Sequence, residues 1–162
     1  MKCNKLLLML TFFLMTQAKA STYEAYFLDY MMEYYQKSTL SGALVQEKSD
    51  NLDIKRMSRK IVRDENRDIK KMKSWRNGYF EEVPNRSYWA GPTLPEDLHF
   101  SETEEFDSRY IDYMISLLRT KKRVMQKASS KITKDFLLEF IKHETKEVEK
   151  NILKLKKLRS EL

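Results

Sequence analysis

All three prolines (Pro84, Pro92, Pro95) and two of the three glycines (Gly78, Gly91) fall between Asn77 and Phe106. Outside that interval the chain beyond residue 20 holds one breaker, Gly42, among long runs of good helix formers. Punctuation this uneven leaves few folds open. It reads as helices on both sides of one irregular crossing, and no apolar/polar alternation argues for a strand.

Start signals divide the two flanks. Ser21-x-x-Glu24 and Ser101-x-x-Glu104 match the capping box, in which hydroxyl and carboxylate each satisfy an orphan backbone N–H. They predict helices over about 22–48 and about 102–128. Asp50 or Asn51 is placed to cap a helix running to about 76, and Thr133 one running to about 160. The apolar spacing agrees. Leu137, Ile141, Glu144, Val148, Asn151, Leu155, Leu158 and Leu162 step by fours and threes, a heptad-like seam interrupted only at Glu144 and Asn151. Ile54, Ile61, Val62, Ile69, Met72 and Trp75 form a related set.

The two flanks match each other. FLDYM at 27–31 aligns with YIDYM at 110–114, an offset of 83. IVRDENRDIKK at 61–71 aligns with FIKHETKEVEK at 140–150, an offset of 79, which implies that the second copy lost four residues at its inner turn and makes Glu65 equivalent to Glu144. A lone hairpin cannot bury its own apolar stripe, so two of them must share a core. The expected fold is all-α: a four-helix bundle, ferritin-like in general shape, made of two repeated helical hairpins. Repeat one covers 21–76, the linker 77–106 and repeat two 107–162, in a single domain over 21–162. The linker is aromatic (Tyr79, Phe80, Tyr88, Trp89, Phe100), so it is expected to lie on the bundle.

The first twenty residues read as a signal peptide. Lys2 and Lys5 precede the apolar run LLLMLTFFLM at 6–15, and Ala18-Lys19-Ala20 supplies the small-x-small cleavage pattern. Ten apolar residues are too few to span a bilayer, and no later run is longer, so no transmembrane segment is expected after cleavage. Export to the periplasm or the medium follows, and excludes nucleic acid as a partner. Cleavage removes Cys3, the sole cysteine, so stability must come from packing without disulfides. Beyond residue 20 there are 28 Lys and Arg against 24 Asp and Glu, interleaved along the chain. That balance supports at most weak contact with anionic surfaces.

The run aromatic-aliphatic-Asp-x-Met, the short turn and the helix ending MKSWR resemble the bacterial domain of unknown function 305 family, once per hairpin. Phe106-Asp107 before YIDYM is similar to the family's entry into its second motif. The resemblance implies an exported helical bundle, with copper binding in some members. The family motif, Asp-x-Met-x-x-His-His, carries over as Asp29 and Met31 in copy one and Asp112 and Met114 in copy two. These four are the metal-site residues that the resemblance implies, with copper as the cofactor. The histidine pair is replaced by Tyr34-Tyr35 and by Leu117-Leu118, which removes the imidazoles that copper, zinc or iron usually takes.

The remaining side chains bound the chemistry. Soft thioether sulfur suits Cu(I), and two-fold packing would let Met31 approach Met114. Glu65 and Glu144 together suggest a carboxylate metal site, but neither copy has the Glu-x-x-His that such bundles use; pairing with nearby bases is the simpler role. His99 and His143 read as ordinary surface histidines. Tyr34 continues the Phe27–Met31 stripe and is expected in the core, whereas Tyr35 is expected to join Tyr30 in an exposed patch for a protein partner or a second copy. No nucleophile motif or phosphate loop is present, so no enzyme is expected. The favoured reading is a non-catalytic envelope interaction module with a degenerate metal site. The alternative is a periplasmic copper-binding protein using methionine ligands, and the remotest is a carboxylate-metal enzyme.

Overall fold

The computed structural model describes residues 3–85, 94, 95, 98 and 103–162, with side chains at 21–85, 94, 95, 98 and 105–162. Among the described residues four long helices follow one another: α1 Cys3–Lys48, α2 Leu52–Tyr79, α3 Thr103–Ser129 and α4 Asp135–Ser160. The structure is an all-α four-helix bundle of two hairpins, α1–α2 and α3–α4. The expected linker residues Tyr88, Trp89, His99, Phe100 and the Ser101 cap lie outside the described residues.

Each helix buries a stripe spaced by threes and fours. On α1 it runs Glu24, Leu28, Met31, Tyr35, Ser38, Gly42, Val45, all inaccessible or nearly so. α2 starts as anticipated: Asn51 Oδ1 accepts from the backbone N–H groups of Asp53 and Ile54.

Two other starts differ. α1 runs unbroken through Ser21, so that serine caps nothing and Glu24 is free for a distant role. Its Oε1 accepts from Thr133 N, Thr133 Oγ1 and Lys134 N at 2.6, 2.9 and 2.9 Å. Thr133 is therefore a donor to Glu24, and the N-terminus of α4 is capped by a carboxylate from α1. The dipole and the orphan N–H groups make that end favourable for an anion, which sequence spacing within α4 cannot reveal.

The repeat offset is 83 throughout. Asp29 pairs with Arg76 at 3.0 Å and Asp112 with Arg159 at 3.2 Å, each pair 47 residues apart. Every buried residue of α4 (Leu137, Phe140, Ile141, Glu144, Val148, Leu155) falls 83 after a buried residue of α2. The inner turn of the second hairpin is no shorter than that of the first, so the deletion implied by the 79-residue alignment is not there. Glu65 corresponds to Val148, and Glu144 to Ile61; the two glutamates are not equivalent. The 79-residue match arose because a four-residue slip moves a helix by about one turn and keeps the same face inward.

Contacts between hairpins set the levels along the bundle. Glu24 meets Thr133, Tyr35 meets Lys121 and Ser41 meets Met114, so α1 and α3 run antiparallel. With the 83-residue offset, this puts the approximate two-fold axis between residues 36 and 37 of α1 and residues 119 and 120 of α3.

α1 and α2 touch closely at Gly42. Its carbonyl accepts from Ser58 Oγ, and a Cβ there would run into the Cγ2 of Val62. Gly42→Ala is expected to destabilise the bundle by about 1–3 kcal/mol despite its better helix propensity, because overpacking between helices outweighs that gain. Urea melts of the two proteins check it.

Candidate functional site

The expected metal residues do not converge. Asp29 and Asp112 are each held by an arginine of their own hairpin, and Arg76 also donates to the carbonyls of Phe80 and Val83. Asp29 thus fixes the path of the chain out of α2. Met31 and Met114 are both fully buried, and Ser41 Oγ donates to Met114 Sδ at 3.2 Å. Met31 lies level with residue 125 of α3, about eleven residues from Met114, so the two thioethers sit roughly 16 Å apart along the axis. They cannot share one ion. Two-fold packing does not bring them together, because the axis crosses α1 near residue 36 and Met31 lies more than a turn away from it.

The tyrosines are exchanged relative to expectation. Tyr35 is fully buried, so it belongs to no surface patch. Tyr34 is only partly buried; its ring meets Tyr30 edge-on at 5.1 Å and its hydroxyl donates to the Tyr30 oxygen. Tyr30 is 43% exposed. The fully buried stripe passes through Leu28, Met31 and Tyr35; Phe27 is buried beside it, as expected, but Tyr34, about 100° around the helix from Tyr35, lies at its edge.

Tyr35 instead joins a buried polar layer close to the two-fold axis. Its hydroxyl donates to Glu144 Oε2. Lys121 Nζ lies 3.1 Å from Glu65 Oε1, 3.6 Å from Glu144 Oε2 and 3.4 Å from the centroid of the Tyr35 ring. Four helices thus contribute to one cluster: Tyr35 from α1, Glu65 from α2, Lys121 from α3, Glu144 from α4. Lys121 is 3% exposed, and an ammonium so buried needs its two carboxylates and the ring face. Glu65 and Glu144 do pair with a base, as expected, though in the core and not at a seam edge.

This layer forms one wall of a cavity of about 180 Å³, lined among others by Asp68, His143 and Glu147. His143 is largely exposed and brings Nδ1 to 3.4 Å from Glu144 Oε1. Burial pushes the Glu65 carboxyl above the ordinary glutamate range, against the pull of Lys121, and pushes Asp68 up as well. Tyr35 is driven far up by burial and by Glu144, so its hydroxyl stays a donor. A carboxylate-metal site would need its ion between Glu65 and Glu144, where the Lys121 ammonium sits. Among the described residues no three His, Cys, Asp or Glu side chains are grouped so as to hold a metal ion.

Lys121 is the residue that the sequence reading overlooked. The signal was available: Ile111, Met114, Leu118, Lys121 and Met125 step by threes and fours, with one lysine on an apolar stripe. A lysine at such a position calls for an acid on a facing helix.

A two-hairpin helical bundle with an ionic centre is the class that fold and geometry define. The particular likeness is to CopM. Its Cu(II)-bound form matches with a TM-score of 0.73 at 19% identity, over 85% of this chain and 96% of that one. The Cu(I)-bound form matches with a TM-score of 0.74 at 19% identity, and the apo form with 0.74 at 18%. No family model matches the chain, that of domain of unknown function 305 included, and no curated protein sequence matches it.

Removing Lys121 leaves two carboxylates buried without their cation. Lys121→Met is expected to cost about 3–5 kcal/mol at neutral pH. A carboxyl raised in the folded state favours folding when protonated, and that contribution is lost as pH rises through its folded value. The wild type is therefore expected to gain stability over Glu65→Gln as pH falls from neutral into the mildly acidic range. Chemical denaturation of all three proteins at pH 7 and pH 5 checks both.

Proposed function

We propose that this chain is a metal-handling helical-bundle protein that binds copper or a similarly soft ion as cargo, outside the cytoplasm and without catalysing a reaction. The observation that carries this is the extended likeness to CopM, whose matching structures include Cu(I)-, Cu(II)- and Ag-bound forms. The donors of this chain narrow the choice of ion. Two histidines, no cysteine beyond residue 20 and carboxylates already engaged by Lys121, Arg76 and Arg159 offer little to Zn(II) or Cu(II). Six methionines beyond residue 20 supply the soft sulfur that Cu(I) and Ag(I) prefer. Location outside the cytoplasm rests on the signal-like residues 1–20.

Titration of the purified protein with Cu(I), Cu(II) and Zn(II) against chromogenic chelators tests the reading. Tight stoichiometric Cu(I) binding with weak Zn(II) binding is the expected outcome. Affinity no better than that of an exposed imidazole for any of the three would overturn it.

A second reading, an envelope interaction module that kept the bundle without the metal, draws on both aspartates being paired with arginines and on Tyr35 being sealed in the core. Its surface would centre on Tyr30, and its partner would be another protein or a second copy. Failure of the titration together with retained thermal stability would favour it.

A further inference from the structure

We propose that Met31, Met72 and Met125 form a thioether site for a monovalent soft cation, Cu(I) or Ag(I), in one layer of the core. This rests on the metal-handling reading and names its ligands. Two interhelical contacts fix the level of Met31 against α2: Asp29 with Arg76 on one side and Gly42 with Ser58 on the other. Between them, Met31 stands opposite Met72. Two more fix it against α3: Glu24 with Thr133 and Tyr35 with Lys121. Between those, Met31 stands opposite Met125. All three methionines are 0% exposed and belong to one core cluster. Three helices therefore direct a thioether each into the same layer. α4 closes the fourth side, its Phe136 and Phe140 rings packed on Trp75 close to Met72.

The internal duplication provides a comparison within the molecule. An offset of 83 carries Met31 to Met114, Met72 to Leu155 and Met125 back to Gly42. The partner layer thus holds one thioether, and Ser41 already donates to it. The second layer is filled by Met114, Leu155 and a Gly42 against which Val62 packs closely. Methionine gathers only in the first.

The chemistry suits a soft monovalent ion. Thioethers are neutral, polarizable and flexible enough to close around an ion from a packed state. They leave the positive charge uncompensated, which disfavours a divalent ion in a dry core. One turn along α1 from Met31, the Tyr35 layer sets two carboxyl groups against one ammonium, and the buried Arg76, one turn along α2 from Met72, has Asp29 as its counter-ion.

Met31→Leu, Met72→Leu and Met125→Leu keep core volume and are expected to fold, which thermal melts check. Each is expected to weaken Cu(I) binding by at least about tenfold in chelator competition, the loss that even outer-shell changes cost a metal site. Met114→Leu is expected to bind as the wild type does, and X-ray absorption of the Ag(I)-loaded protein to give a sulfur-only first shell. Tight wild-type binding unchanged in the three variants, or lost in Met114→Leu instead, overturns this ligand set while the metal-handling reading stands. No tight binding by the wild type overturns both.

Discussion

The antiparallel contact of α1 with α3 makes one core out of two hairpins. Each hairpin presents a single apolar stripe, and only the other hairpin can cover it. Burying a leucine- or methionine-sized side chain is worth about 1.5–3 kcal/mol, so an uncovered stripe forfeits most of the stabilisation available to the chain. The level at which α1 meets α3 then decides every other neighbour. It sets Tyr35 over Lys121, Ser41 against Met114 and Glu24 at the start of α4. A shift of one turn would take Glu65 and the Tyr35 ring away from Lys121 and leave it only Glu144 of its own hairpin.

That ionic layer is an unusual feature for so regular a bundle. A buried ion pair seldom adds net stability over well-packed apolar residues, since desolvation offsets most of the attraction. Its effect lies in the penalty for any other arrangement. Three charges and a hydroxyl from four helices satisfy one another at only one register, and the apolar stripes alone would tolerate several.

Duplication has been kept in the clamps that hold the hairpins and lost at several positions of the core. Asp29–Arg76 and Asp112–Arg159 are the same clamp twice, 47 residues across in each. In the layers between, Tyr35 corresponds to Leu118, Ser38 to Lys121, Glu65 to Val148 and Met72 to Leu155. The residues that resemble a metal motif thus divide. Its aspartates became, or always were, structural bonds, and its first methionine lies in a layer with two others that the motif does not include.

Helix number, approximate limits and the repeat were legible because they follow from local terms: breaker placement, the Asn51 cap and the spacing of threes and fours. The functional residues were less so. Tyr34 and Tyr35 could not be told apart, because adjacent positions both lie near the edge of a broad stripe and only the partner helix decides which turns inward. The 79-residue alignment misled because four residues nearly close a helical turn, so two registers look alike in sequence. Which residues share a level, Met31 with Met72 and Met125 rather than with Met114, depends on how two hairpins slide past each other. That is set by packing and by the Lys121 layer, and no term local to one helix contains it. The chain's own sequence determined that it would be a bundle of two like hairpins; the tertiary contact between them decided which side chains could act together.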